Sequence, residues 1–192
     1  MPFFTRLTPN ENQWRNPSGL NWKCQGNLYE AEHGFGWEEW LLKDYWDGKQ
    51  ICKGFIQALN DQNHHIEHID ELHLYTRICF GNEQATLFYV GNIKNIRVIP
   101  PDQRGLTQKK IQTYQQDLAD VGVAWPNDGM ELNSINIEFK RNDVQFVFDA
   151  NNQNRTMELM PLQMFFNLFD LDNHPNIAGQ VEQMQNNIKR KG

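Results

Sequence analysis

Apolar and polar positions alternate most clearly at Leu72, Leu74, Thr76, Ile78 and Phe80, as a strand with one buried face requires. The turn residues Gly81, Asn82 and Glu83 follow, and Thr86 to Val90 reads as the return strand. That strand is expected to continue through Gly91 and Asn92, which supply a bend or bulge, as far as Ile99. Pro100 and Pro101 stop it. Ile51 to Leu59 reads as another strand, with Gly54 marking a bulge or a close backbone approach. Ile135, Ile137 and Phe139 alternate ahead of the turn residues Lys140 to Asp143, and Val144 to Phe148 completes a second hairpin.

The period changes to that of a helix at Ile111, Tyr114, Leu118 and Val121, with Thr107 as N-cap and Gly122 as the stop. Lys109 and Lys110 lie off this stripe and are expected to be exposed. Leu162, Phe165, Phe166 and Phe169 predict an amphipathic helix over 157–170, and Ile177, Val181, Met184 and Ile188 predict a last helix after Pro175. The first thirty residues read as polar loop, punctuated by Trp14 beside Arg15 and the turn Pro17-Ser18-Gly19. The pattern predicts an α+β chain with a β-rich domain over 1–155. A C-terminal helical segment over 156–192 packs on it or leads to a linker.

Gly34-Phe35-Gly36-Trp37-Glu38-Glu39-Trp40-Leu41 concentrates glycines, aromatics and acids in one short stretch. Its glycines suit a tight turn into a short helix from Trp37 to about Lys43, with Glu38 and Glu39 as a charged first turn. Trp37, Trp40 and Leu41 share one face, which must be buried or bind something. Neighbouring helical residues point about 100° apart, so the two carboxylates do not converge as an acid and base pair.

The formal charge of −6 hides an uneven distribution. Lys94, Arg97, Arg104, Lys109 and Lys110 face only Asp102 between Gly91 and Gln115, while five acids face only Arg77 between Asp61 and Val90. Cys24, Cys52 and Cys79 are odd in number and lack paired metal spacing, which fits a reduced, cytoplasmic setting. No apolar run reaches the roughly 18 residues of a membrane span. His64 and His68 would share a helical face, but metal sites need three or four converging ligands, so a loop is the expectation, with neither metal nor cofactor. No phosphate loop, dinucleotide fingerprint, nucleophile elbow or zinc-protease pair occurs, so no catalytic residue and no enzymatic activity is expected.

Taken in order, Trp14 to Gly19, Gly34 to Leu41, Lys53-Gly54-Phe55-Ile56-Gln57, and Leu72 to Tyr75 through Tyr89 to Ile96 resemble a known arrangement. It is the N-terminal recognition domain of McrA-like, modification-dependent HNH restriction endonucleases, akin to the PUA and SRA superfamily. The resemblance implies a PUA-like curved sheet or open barrel with flanking helices. It also implies DNA binding with recognition of a modified base in bacterial defence, beside a nuclease domain. The sequence departs from the pattern at Trp37, where a His is expected, and it carries no HNH segment.

A base-reading domain holds an extruded base between aromatic faces, and Trp14, Trp37, Trp40, Tyr75 and Tyr89 are the pocket candidates. Arg15, Lys94, Arg97, Lys109 and Lys110 are the candidates for phosphate contacts. The expectation is therefore a non-catalytic DNA-binding module. The alternative is an acidic protein-binding partner such as an antitoxin, immunity protein or adaptor, which an acidic surface favours.

Overall fold

The computed structural model describes residues 2–20, 23–24, 29–60, 66–79, 85–146, 157–158, 169–173 and 175–189. Its centre is an open mixed sheet. The long antiparallel pair β3 (His68–Ile78) and β4 (Thr86–Val98) forms the spine of this sheet. Their register slips between Leu74 and Tyr75, where Leu74 faces Gly91 and Tyr75 faces Tyr89, so Val90 is the extra residue of a bulge. The bend expected at Gly91 is thus present, with Gly91 at φ 145°. Pro100 and Pro101 end the strand as expected.

The N-terminal residues are not loop. Pro2–Leu7 is β1, which runs parallel to β3 with Phe4 opposite His73 and Leu7 opposite Thr76. Its other side pairs with β8 (Phe169–Asp170). A strand inside a sheet that is covered on both faces needs no alternation, and Phe3, Phe4, Thr5, Arg6 and Leu7 are all buried. The alternation test therefore passes over it.

On the far side of β4 the expected second hairpin is corrected. β5 (Ile137–Lys140) and β6 (Val144–Phe146) do not pair with each other. Both lie antiparallel along β4, joined by a 3-10 turn at Arg141–Asp143, because a thirteen-residue strand is long enough to seat them in succession. β7 (Met157–Glu158) pairs farther along β4, and β2 (Ile51–Gly54) pairs with β5 at the edge. The path across the sheet is β2-β5-β4-β3-β1-β8. The strand expected over 51–59 ends at Gly54, and Gln57–Leu59 is a 3-10 turn. Gly54 marks a close approach, since a Cβ there would lie 2.8 Å from the Leu41 carbonyl oxygen.

Of the helices, α1 spans Tyr29–His33 and α2 Lys43–Trp46. α3 spans Gln108–Asp120, capped by Thr107 as expected, and buries Tyr114 and Leu118. The last helix, α4, covers Pro175–Lys189. The helix expected over 157–170 is corrected at both ends, where Met157–Glu158 and Phe169–Asp170 are strands, and 159–168 lie outside the described residues.

Two apolar clusters fill the interior. The larger gathers Leu7, Trp14, Leu42, Ile69, Ile93 and Phe139, among others. The smaller is aromatic: Phe35, Trp37, Trp40, Phe55, Tyr114 and Leu118. Trp40 stacks on Tyr114 with ring centroids 4.2 Å apart and planes 2° from parallel.

Candidate functional site: a carboxylate clip and a cation row

The stretch Gly34 to Leu41 folds as a 3-10 turn over Trp37–Trp40, shorter than the helix expected to reach Lys43. Gly36 lets it lie against β1, since a Cβ there would sit 2.9 Å from the Thr8 Cβ. The charged first turn is not solvated. Glu38 and Glu39 are 1% and 0% exposed.

The two side chains diverge, as neighbours on a turn must. Glu38 accepts the Thr8 amide at 2.8 Å, the Thr8 hydroxyl at 3.2 Å and the Gln57 amide at 2.9 Å. Glu39 accepts the Ser18 amide at 2.8 Å, Asn10 Nδ2 at 2.6 Å and the Gly36 amide at 2.9 Å, and pairs with Lys23 Nζ at 3.0 Å. Hydrogen bonds contribute about 0.5–1.5 kcal/mol each to a neutral acceptor and about 1.5–3 kcal/mol to a charged one, so in either form these acids tie together segments far apart in the chain. Burial pushes the Glu38 carboxyl up to about 7, against the opposing pull of the Gln57 and Thr8 amides and of Arg6. Burial also raises that of Glu39. A third buried acid, Glu30, pairs with Arg6 at 2.8 Å. The arrangement clips the chain together, and none of the four oxygens is left to open solvent.

A different use of carboxylates appears at the β2 edge. Asp44 on α2 is 4% exposed at its side chain and accepts the Lys53 edge amide at 3.1 Å, Lys49 Nζ at 2.5 Å and Lys110 Nζ at 3.1 Å. These bonds close the open edge of the sheet. They also gather cations from the α2–β2 turn and α3. Burial lowers the Lys110 pKa, partly offset by Asp44, with Lys49 and Lys53 adding to the fall. The Asp44 carboxyl is buried too, but the lysines outweigh that cost and hold it below the ordinary range.

From Lys53 the row continues along the sheet. Register sets Lys53 opposite Glu138, Glu138 opposite Arg97 and Arg97 opposite His68. Glu138 is 3.5 Å from Lys53 Nζ and 3.2 Å from Arg97 Nη2. The acids lie beneath and the cations above: Lys49, Lys53 and Arg97 are 50%, 46% and 49% exposed, against 24% for Glu138. Lys49, Lys53 and Arg97 thus hold their charges half exposed over Asp44 and Glu138, while Lys110 is 21% exposed.

Of the expected phosphate contacts, Arg97 and Lys110 belong to this row. Lys110 is not freely exposed, contrary to expectation, because its amine turns in to Asp44. Lys109 is exposed on α3. Lys94 lies 3.9 Å from Glu71, and Arg15 lies 3.6 Å from Asp47 on the loop after α2. Lys49 and Lys53 were not among the expected residues. Lys49 lies between Gly48 and Gln50 and Lys53 between Cys52 and Gly54, with no basic neighbour in sequence, so only the fold brings them to Lys110.

The five expected pocket aromatics are all buried, between 1% and 4% exposed. Trp37 and Trp40 neighbour each other at 5.7 Å. Trp14 sits in the larger cluster, Tyr75 stacks on Phe4 at 4.7 Å, and Tyr89 bonds His73 Nδ1 through its hydroxyl at 2.6 Å. They do not form one pocket wall, and none offers a free face to a base.

Among the described residues no three His, Cys, Asp or Glu side chains converge as a metal site; His64 lies outside them. No described helix is long and apolar enough to cross a membrane. The reduced state expected of all three cysteines is corrected: Cys24 and Cys79 form a disulfide with Cα atoms 5.2 Å apart, and Cys52 is a buried thiol. An odd count hides a pair when the third cysteine is core. No protein-family model, curated protein or solved structure matches the chain.

Proposed function

We propose that the chain is a non-catalytic, PUA-like DNA-binding module that takes the phosphate backbone on the cation row of the β2–β5–β4–β3 surface. The row itself carries this reading. Lys53 and Arg97 stand on strands separated by β5, about 10 Å apart by strand spacing, and Lys49 and Lys110 extend the line beyond the edge. Half-exposed ion pairs contribute about 0–1 kcal/mol, so exchanging a carboxylate for a phosphate costs little. The resemblance of the motif order to McrA-like recognition domains supports the same ligand. The buried aromatics lend no support to reading a modified base.

A protein partner is the second reading, favoured by the Cys24–Cys79 bond, because disulfides persist in oxidising compartments. Electrophoretic shifts on modified and unmodified duplexes, at low and moderate salt, separate the two. The DNA reading expects a shift at low salt that fades steeply as salt rises and is alike on both duplexes. No shift at low salt overturns it, and a stoichiometric protein partner without a DNA shift establishes the second reading.

A further inference from the structure

Residues 8–20 form a strap across the motif and α2, and Lys23 and Cys24 tie down its end. Gln13 and Trp14 hold φ of 57° and 54°, a left-handed conformation that side-chain-bearing residues adopt only when their surroundings impose it. Trp14 itself is core, and the contacts that link the two ends of the strap to Glu39 are identifiable. Asn10 Oδ1 accepts the Trp14 amide at 2.8 Å, while Asn10 Nδ2 and the Ser18 amide both reach Glu39. The adjacent Lys23 amine, 1% exposed, completes the set at Glu39. Directly after Lys23, Cys24 bonds Cys79 at the exit of β3, 55 residues on.

The disulfide therefore fastens the chain one residue from the buried Lys23–Glu39 pair. No strand pairing of the sheet passes through Cys24 or Cys79. We infer that Cys24–Cys79 is a redox latch on the strap. Its reduction frees the end of the strap, Ser18 and Lys23, from Glu39 while Trp14 stays in the core and the sheet stays folded. The step consumes two equivalents of a thiol reductant: each cysteine sulfur gains a hydrogen, and the two reductant sulfurs join as a disulfide.

The latch reaches the cation row through α2. The Trp14 carbonyl accepts the Leu42 amide at 2.9 Å, the Gln13 carbonyl accepts Trp46 Nε1 at 3.0 Å, and Arg15 pairs with Asp47. These contacts bracket Asp44, which gathers Lys49 and Lys110. The latch stands on the strap geometry alone and does not depend on what the row binds.

The test compares the full chain as purified under air with the same chain treated with dithiothreitol. Alkylation after denaturation without reductant is expected to add one adduct to the air-oxidised chain and three to the reduced chain. Trypsin cleavage after Arg15 and Lys23 is expected to speed up at least tenfold on reduction, with the far-ultraviolet circular dichroism of the sheet retained. The double variant Cys24→Ser/Cys79→Ser should show the fast cleavage without reductant. Three adducts on the air-oxidised chain, equal cleavage rates, a protected double variant, or loss of the sheet signal on reduction would each overturn the latch.

Discussion

Glu38 and Glu39 spend their oxygens on the chain's own amides and on a buried lysine, whereas Asp44 and Glu138 lie beneath cations whose heads reach solvent. The residue types are the same; what differs is what covers them. In the interior a carboxylate organises loops that carry no regular hydrogen-bond ladder of their own. At the sheet edge a carboxylate gathers cations that start far apart in sequence. Conspicuous acids in a glycine and aromatic setting here mark the scaffold, and the proposed binding surface is made of residues without a local motif.

Substitutions at the two regions should separate them, and the largest effect belongs to Glu39. Glu39→Ala leaves Lys23 buried without its counter-charge, and breaking such a pair costs about 3–5 kcal/mol. Denaturant unfolding of the variant checks this; a loss below about 1 kcal/mol would place Glu39 among the surface acids. Next, Glu38→Gln turns an amide donor towards the Thr8 or Gln57 amide, with an expected loss of about 1–3 kcal/mol.

The same residue has a pH signature. With its folded pKa raised to about 7 from the ordinary 4.5, Glu38 is protonated in the fold over a range where the unfolded chain is already ionised. Its contribution is complete below 4.5 and is lost as pH rises to about 7. His73 acts in the opposite sense. Burial lowers it from 6.5 to about 4, although Glu71 pulls the other way, so the fold holds it neutral and loses stability as pH falls through that window. The full loss is on the order of 3 kcal/mol. Stability profiles of Glu38→Gln and His73→Gln against the parent chain should each lack one of these slopes.

Smallest in stability, and largest in binding, are changes at the row. Lys53→Ala, Arg97→Ala and Glu138→Gln should stay within about 0.5 kcal/mol of the parent chain, because half-exposed pairs contribute little. Glu138→Gln removes a carboxylate that competes with phosphate for Lys53 and Arg97, so it should tighten DNA binding while the alanine variants weaken it. A filter-binding titration of each variant measures this.

Much of the sheet was legible in the chain. The strand at Leu72 to Ile78, the bend at Gly91, the stop at Pro100, the cap at Thr107 and the close approach at Gly54 all depend on local chemistry, whereas the single buried face expected of that strand is corrected, because Leu72 to Thr76 are all buried. What the sequence concealed depends on distant partners. β1 is buried on both faces and shows no period; β5 and β6 look like a hairpin until the length of β4 is known. The burial of Glu38 and Glu39 depends on donors at Thr8, Ser18 and Gln57, which no spacing rule connects. Of the row, Arg97 and Lys110 stood out because they lie in a basic segment. Lys49 and Lys53 join them only through Asp44 and Glu138.

The binding surface proposed is the cation row and not the glycine and tryptophan motif. The most direct measurement is the salt dependence of duplex binding by the parent chain and by the Lys49→Ala/Lys53→Ala/Arg97→Ala variant, with thermal unfolding recorded beside it. The variant should keep its unfolding midpoint within about 2–4 °C. It should also bind every sequence more weakly, with a slope of log affinity against log salt shallower by about 2–3. A variant that binds duplex DNA with the parent's affinity and slope would contradict that assignment.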